Sequence, residues 1–154
     1  MCYYTPMKIV NTSLSVQTSQ QFEIINITEQ VVRTVTESGV KEGVITISVP
    51  HTTASIKLNH FEPLLLQDIL RTVFRLVPQD ISYNHDIFEL RQNVTPNERS
   101  NGHAHVKAFL LGNSETVPIA AGAVVLGDRQ SILFVECDGS RKRRVNISII
   151  GNEQ

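Results

Sequence analysis

The sequence predicts an α+β fold, and three observations carry that expectation. Most apolar runs are short and β-branched, as strands require, and only three stretches repeat at helical spacing. The last forty residues read as strands alone, so the order is not the alternating βαβ of a parallel sheet. Apolar residues make up 41% of the 154 and charged residues 19%, the balance of a folded chain, which we read as one domain over residues 1–154.

Leu14 and Val16, then Phe22, Ile24 and Ile27, form two strands separated by the polar run from Gln17 to Gln21. Asn26 or Thr28 offers an oxygen to cap a helix running through Ser38, with Val31, Val32 and Val35 on one face and Gly39 at the left-handed exit. A β-branched run from Gly43 to Val49 is interrupted at Pro50-His51-Thr52-Thr53 and resumes from Ala54 to Asn59. Proline removes a ladder donor, so the chain bends or leaves the sheet there and presents the His and Thr side chains at a strand end.

After Glu62-Pro63, Leu65, Ile69, Val73 and Leu76 recur at helical spacing until Pro78 stops the pattern. The stripe is wide enough to meet a sheet on one side and a neighbouring subunit on another. Residues 79–102 are polar and without period, and a connection of that length usually serves function. A short helix from Gly102 to Leu111 follows, with Val106, Phe109 and Leu110 as its apolar residues and Gly112 at its end. Thr116–Ile119, Val124–Leu126, Ser131–Glu136 and Arg144–Ile150 then read as a meander, turning at Ala121-Gly122 and Asp138-Gly139. The strand ending at Glu136 is apolar on both faces, hence central.

A net charge of −1 supplies no field for a nucleic acid or an anionic membrane. No signal-peptide pattern or membrane-length apolar run is present, and with two unpaired cysteines, Cys2 and Cys137, the chain reads as cytoplasmic. Cys137 follows an apolar strand and reads as a partly buried small residue.

Five histidines remain as candidates for chemistry. In Asn101-Gly102-His103-Ala104-His105 the two imidazoles diverge if the segment is helical, leaving one to face a site built from elsewhere. His51 and His85 are its natural partners, and a shell of His51, His85 and His105 with an open position suffices for a Lewis-acid centre holding a divalent metal, Zn or Mg. The basic run Arg141-Lys142-Arg143-Arg144 is either a solvated turn or, through Arg144 opposite the Val145–Ile147–Ile149 face, a phosphate clamp. Glu136 ends a buried row and needs a partner, such as a cation.

The order of motifs, Pro50-His51-Thr52-Thr53-Ala54-Ser55, Leu58-Asn59, Asp68, Val77-Pro78, Asn84-His85-Asp86, Asn101 to Val106, Leu111-Gly112 and Gly122 through Gln130, resembles the YjbQ-like family of secondary thiamine-phosphate synthase enzymes. The resemblance spans nearly the whole chain. A family signature of Ser, spaced aliphatics, Gly, then Gly-Thr-Trp-Gln is matched by Ser114, Val117, Ile119, Gly122, Gly127 and Gln130, with Asp128-Arg129 in place of Thr-Trp. His60 likewise stands where the family has Glu after Asn59.

The resemblance implies a single YjbQ-like domain of two packed, mostly antiparallel sheets with helices on one side, assembled as a homotrimer. It implies a catalytic site of His51, Thr53, Asn59, His85 and His105, with Thr52, Gln130, Glu136 and Arg144 binding substrate at the rim. The implied reaction transfers a pyrimidine methyl group from its diphosphate to thiazole phosphate with release of pyrophosphate. The residues alone also admit a metal-dependent hydrolase or transferase on another phosphorylated metabolite, and a non-enzymatic trimeric ligand-binding protein.

Overall fold

The computed structural model describes residues 6–154, and Cys2 lies outside the described residues. Within them the chain runs β1 (Lys8–Gln17), β2 (Glu23–Asn26), α1 (Thr28–Ser38), β3 (Glu42–Ser48), β4 (Ala54–Asn59), α2 (Pro63–Leu76), α3 (Gly102–Leu111), β5 (Ser114–Ala120), β6 (Ala123–Val124), β7 (Ser131–Glu136) and β8 (Lys142–Asn152). The strands form two antiparallel sheets, one of five strands in the order β1-β8-β3-β5-β6 and one of three in the order β2-β7-β4.

The last four strands are therefore not a meander. β5 and β6 pair as a hairpin, but β7 crosses to the centre of the small sheet and β8 returns between β1 and β3 of the large one. β7 is central and buried from Ile132 to Glu136, as its two apolar faces require. Ile132 and Phe134 face Ile45, Ile47, Val145, Ile147 and Ile149 of the large sheet. Val135 turns the other way, and Cys137 just beyond the strand packs with it on Ala104 and Ala108 of α3.

β3 runs into Pro50, and β4 emerges in the other sheet, so the chain does leave its sheet where proline interrupts the ladder. Gly43 of β3 lies opposite Gly151 of β8. A Cβ on either would come within 2.2 Å of a backbone oxygen, so both positions need glycine.

α1 begins where Asn26 Oδ1 accepts from the Thr28 N–H at 3.0 Å and ends at Gly39 with φ 74°. Val31 and Val35 are buried in the inter-sheet core, while Val32 is exposed: the apolar stripe is one residue narrower than the spacing suggests. α2 is capped by Glu62, whose carboxylate accepts from the N–H groups of Leu64 and Leu65 at 2.9 and 2.8 Å. None of its residues is buried, and Leu64, Leu70 and Leu76 face outward. Phe74 anchors it edge-on to Phe22, ring centroids 5.5 Å apart.

Two single 3-10 turns, Asn84–Asp86 and Phe88–Leu90, give the long connection its shape. Asp86 ties it to α3 by accepting from the Asn101 and Gly102 N–H groups, both at 2.9 Å. A carboxylate at that helix end satisfies two donors the helix itself cannot.

Candidate functional site

His51 stands in the crossover from β3 to β4, where the missing ladder bond frees the segment to turn its side chains toward β8. Its Nε2 accepts the main-chain N–H of Arg144 at 3.0 Å. A backbone N–H can only donate, so the neutral ring carries its proton on Nδ1. Burial, and next the Arg143 guanidinium, hold the His51 pKa below its ordinary value.

α3 turns about 100° per residue, so His103 and His105 face different ways. His105 looks into an apolar hollow of about 680 Å³ that it shares with His51, Thr52, Val49, Val106 and Phe109. His85 packs behind it, ring centroids 4.5 Å apart and tilted by 59°. Burial first, then the charge His85 would carry, lower the His105 pKa. The His85 backbone is held by Arg91, which donates to its carbonyl at 3.3 Å and pairs with Glu98. The Thr95 N–H and then Arg91 hold Glu98 down to about 2. The hollow is thus walled by two imidazoles that stay neutral near pH 7; His51 presents its Nδ1–H as a donor, since the Arg144 N–H takes its Nε2 lone pair.

Of the site residues expected from sequence, His51, Thr52 and His105 share this hollow and His85 backs it. Thr53 is buried behind it, its Oγ1 accepting from Arg143 Nη2 at 2.9 Å. Glu136 is fully buried rather than at a rim. Its partner is Arg143, through Nε at 2.7 Å and Nη2 at 2.5 Å, with the Cys137 and Asp138 N–H groups adding bonds at 3.0 and 2.9 Å. No lone pair of Glu136 is left for substrate in that arrangement. Arg144, the neighbouring arginine, is exposed as its strand parity dictates and lines a second hollow that also includes His51.

Asn59 and Gln130 are not brought to the imidazoles. Asn59 pairs with Ser131 at the opposite end of β4 from Ala54, about 16 Å along the strand at ~3.3 Å per residue. Its Oδ1 accepts from the His60 N–H at 2.8 Å, and Gln130 closes its own turn by accepting from the Gly127 N–H at 2.9 Å. No group of three or more His, Cys, Asp or Glu side chains among the described residues is placed to hold a metal ion. His51, His85 and His105 therefore form no three-donor shell within one chain.

The roles of three residues escaped the sequence reading. Arg143 carried a usable signal, since it shares its strand face with Val145, Ile147 and Ile149. Lys107 and His103 carried a weaker one, the i, i+4 spacing that puts both beneath α3 with Ala104 and Ala108. Lys107 is fully buried, donates from Nζ to His103 Nδ1 at 3.2 Å, and lies 4.5 Å over the Phe74 ring. Burial lowers its pKa. The unfolded chain, with lysine near 10.4, then binds more protons between the two values, so folding stability should rise with pH there. Lys107→Met should flatten that rise in urea unfolding measured at several pH values; an unchanged slope would assign it to another group. Cys137 is buried and burial pushes its thiol up to about 12, so it is inert packing.

Fold and site define a class: an antiparallel two-sheet α+β protein with a histidine-walled hollow at the crossover between its sheets. A model of the family described as UPF0047 protein YjbQ-like matches residues 12–152, and the chain belongs to that family. A UPF0047 protein of Archaeoglobus fulgidus is 42% identical over 137 residues, 89% of this chain and 98% of its own. One from Methanothermobacter thermautotrophicus is 36% identical over 145 residues, 94% of each chain. Among solved structures, a YbjQ-like protein of unknown function from Sulfolobus solfataricus superposes with a TM-score of 0.87 at 34% identity, covering 96% of this chain and 100% of its own. No helix among the described residues is long and apolar enough to cross a membrane.

Proposed function

We propose that this chain is a cytoplasmic, homotrimeric enzyme acting on a small phosphorylated metabolite, with thiamine-phosphate synthase-like transfer as its reaction. The reading rests on one observation: His51 and His105, from separate elements and both kept neutral, face a single mostly apolar hollow of about 680 Å³. Joining a pyrimidine methylene to a thiazole nitrogen needs a water-poor space for two flat rings and polar groups near the departing diphosphate. The hollow supplies the first, and the Nδ1–H of His51 is a donor for the second.

A divalent metal, Zn or Mg, would need donors beyond the described residues of one chain, since no three ligating side chains meet among them. No step is assigned to it. Elemental analysis of the purified protein should show no stoichiometric metal; one equivalent per subunit would return the reaction to the metal-dependent alternative.

The trimer is supported by the apolar side chains left outside: Leu64 and Leu76 on α2 and Phe109 and Leu110 on α3 are all more than 60% exposed. Light scattering should give three times 17.2 kDa, and Phe109→Asp with Leu110→Ser should shift the mass toward the monomer. A monomeric wild type would remove this part of the reading.

The function is tested by rescue of a strain that cannot make thiamine phosphate. Wild type should support growth, and His85→Ala, at unchanged melting temperature, should not. Absence of rescue by wild type, with purified protein that binds but never converts the two phosphates, would leave a binding protein instead.

A further inference from the structure

We propose that Asp138 is a positioning residue, whose carboxylate fixes the separation of His51 from His105 across the hollow. The inference rests on the functional reading above and deepens it by naming what holds the two imidazoles in register. Asp138 lies in the crossing from β7 to β8, is 3% exposed, and lines neither the apolar hollow nor the one beside Arg144. It acts only through its partners.

Two chains of hydrogen bonds meet at its carboxylate. On the α3 side, Asn101 Nδ2 donates to Asp138 Oδ2 at 2.9 Å, and the Asn101 carbonyl accepts the His105 N–H at 3.3 Å. Asp86 accepts the Asn101 N–H at 2.9 Å, so the same joint holds the 3-10 turn that carries His85. On the β8 side, Arg141 Nη2 donates to the same Oδ2 at 2.7 Å, and its Nε donates to the Asp138 carbonyl at 2.9 Å. The Thr18 N–H fixes the Arg141 carbonyl at 3.0 Å. Farther along this run the Arg144 N–H meets His51 Nε2 at 3.0 Å. One carboxylate oxygen therefore joins the helix that bears His105 to the strand that braces His51.

The cost of the arrangement shows that it is imposed. With its amide nitrogen turned to Asp138, Asn101 keeps Oδ1 buried and without a partner, an orientation that only a strong acceptor opposite Nδ2 sustains. Arg99 takes the other carboxylate oxygen, 3.3 Å from Oδ1, with its own side chain 48% exposed. The bridge through Oδ2 is thus the buried part of the cluster, and the Arg99 contact is its outer part. Two groups that must reach one ligand from separate elements need such a link, because a displacement of about 1 Å at a reacting centre can cost ~10²-fold in rate.

Nitrogen NMR of the free protein, with its histidines isotope-labelled, tests the link without any ligand. Asp138→Ala should move the ring signals of both His51 and His105. Asp138→Asn should leave them near their wild-type positions, because one amide oxygen can still receive Asn101 and Arg141 while Arg99 turns to water. Asn101→Ala should shift His51, although Asn101 lines neither hollow, and should shift it no further in an Asp138→Ala background. Val35→Ala, a buried change in α1, is the control: it should lower the melting temperature and leave both rings unmoved. Where Asp138→Ala does not fold, Asn101→Ala against wild type carries the test. In the transferase assay Asp138→Ala should lower kcat by up to about 10²-fold with KM within about twofold, and Asp138→Asn should recover most of it. A His51 signal indifferent to Asn101→Ala, additive shifts in the double variant, or Asp138→Asn behaving as Asp138→Ala would overturn the proposal. The expected shifts in a protein that never turns over would leave the bridge standing and sink the transferase reading. Full turnover by Asp138→Ala would do the reverse.

Discussion

Glu136→Ala should cost about 3–5 kcal/mol of folding stability, as removal of one partner of a buried ion pair does, and lower the melting temperature by roughly 6–20 °C in a chain of this size. The side chain is inaccessible to solvent and Arg143 is 7% exposed, so the guanidinium left behind cannot recover its hydration. The substitution also strips acceptors from the N–H groups of Cys137 and Asp138 and from Thr18 Oγ1, which donates at 3.2 Å. Replacing both charges, Glu136→Leu with Arg143→Met, should restore part of the loss, because no buried charge is left unpaired, while the Asp138 N–H and Thr18 Oγ1 still lack the Glu136 carboxylate. The exposed pair Arg33–Glu29, 3.1 Å apart on α1, is the internal control: Glu29→Ala should move stability by less than about 0.5 kcal/mol. Equal, small effects at both pairs in denaturant titrations would show that Glu136 is not buried as described.

The contrast between Glu136 and Arg143 also shows what the sequence made legible. Strand parity placed Glu136 on the buried face of β7 and told that it needed a cation; the same parity applied to β8 names Arg143, not Arg144. Arg144 emerges on the opposite, exposed face, as the same parity requires. In α3 the spacing of Val106, Phe109 and Leu110 marked a helix, and these residues are exposed while His103 and Lys107 are inside. Periodicity reports which residues share a face but not which face meets the body of the protein. Two factors decide that here: Asp86 fixes the start of the helix, and the small side chains Ala104 and Ala108 let it approach β7.

Sheet membership was the other hidden quantity. A turn between two strands has the same composition whether it closes a hairpin or carries the chain from one layer to the next. The 137–141 segment does the latter, held by Asp138, which receives Asn101 at 2.9 Å and Arg141 at 2.7 Å. The Pro50 interruption was readable because proline has a backbone consequence; the 137–141 crossing depends on partners 37 residues upstream in the chain. That crossing brings β8 alongside the His51 crossover, so the union of His51 with Arg144 is a tertiary fact. The separation of Asn59 and Gln130 from the imidazoles has the same origin: β4 and β7 are antiparallel, and motifs at opposite ends of paired strands cannot meet.

His51→Gln should reduce turnover by about 10²–10⁴-fold, the usual contribution of a positioned acid–base group, with the fold preserved. Glutamine can still offer an acceptor to the Arg144 N–H, so the crossover keeps its bond, but it has no ring nitrogen that can take up a proton once Nε2 releases that N–H. The pH profile separates this role from packing. Burial and Arg143 depress the His51 pKa, and burial and His85 depress that of His105. Both rings therefore stay neutral below the ordinary histidine value of about 6.5, and activity should persist into mildly acid solution, falling only as pH drops through the depressed values. The same shifts make the charged rings unfavourable in the folded state, so stability gained above that range should be lost over the same acid window. Arg143→Met removes one cause of the His51 depression and should move the acid limb of the profile toward higher pH wherever the protein remains folded. In His51→Gln that limb should be governed by His105 alone. A substituted enzyme with full turnover, or an acid limb identical in all three proteins, would take His51 out of the chemistry and leave it as a brace for β8.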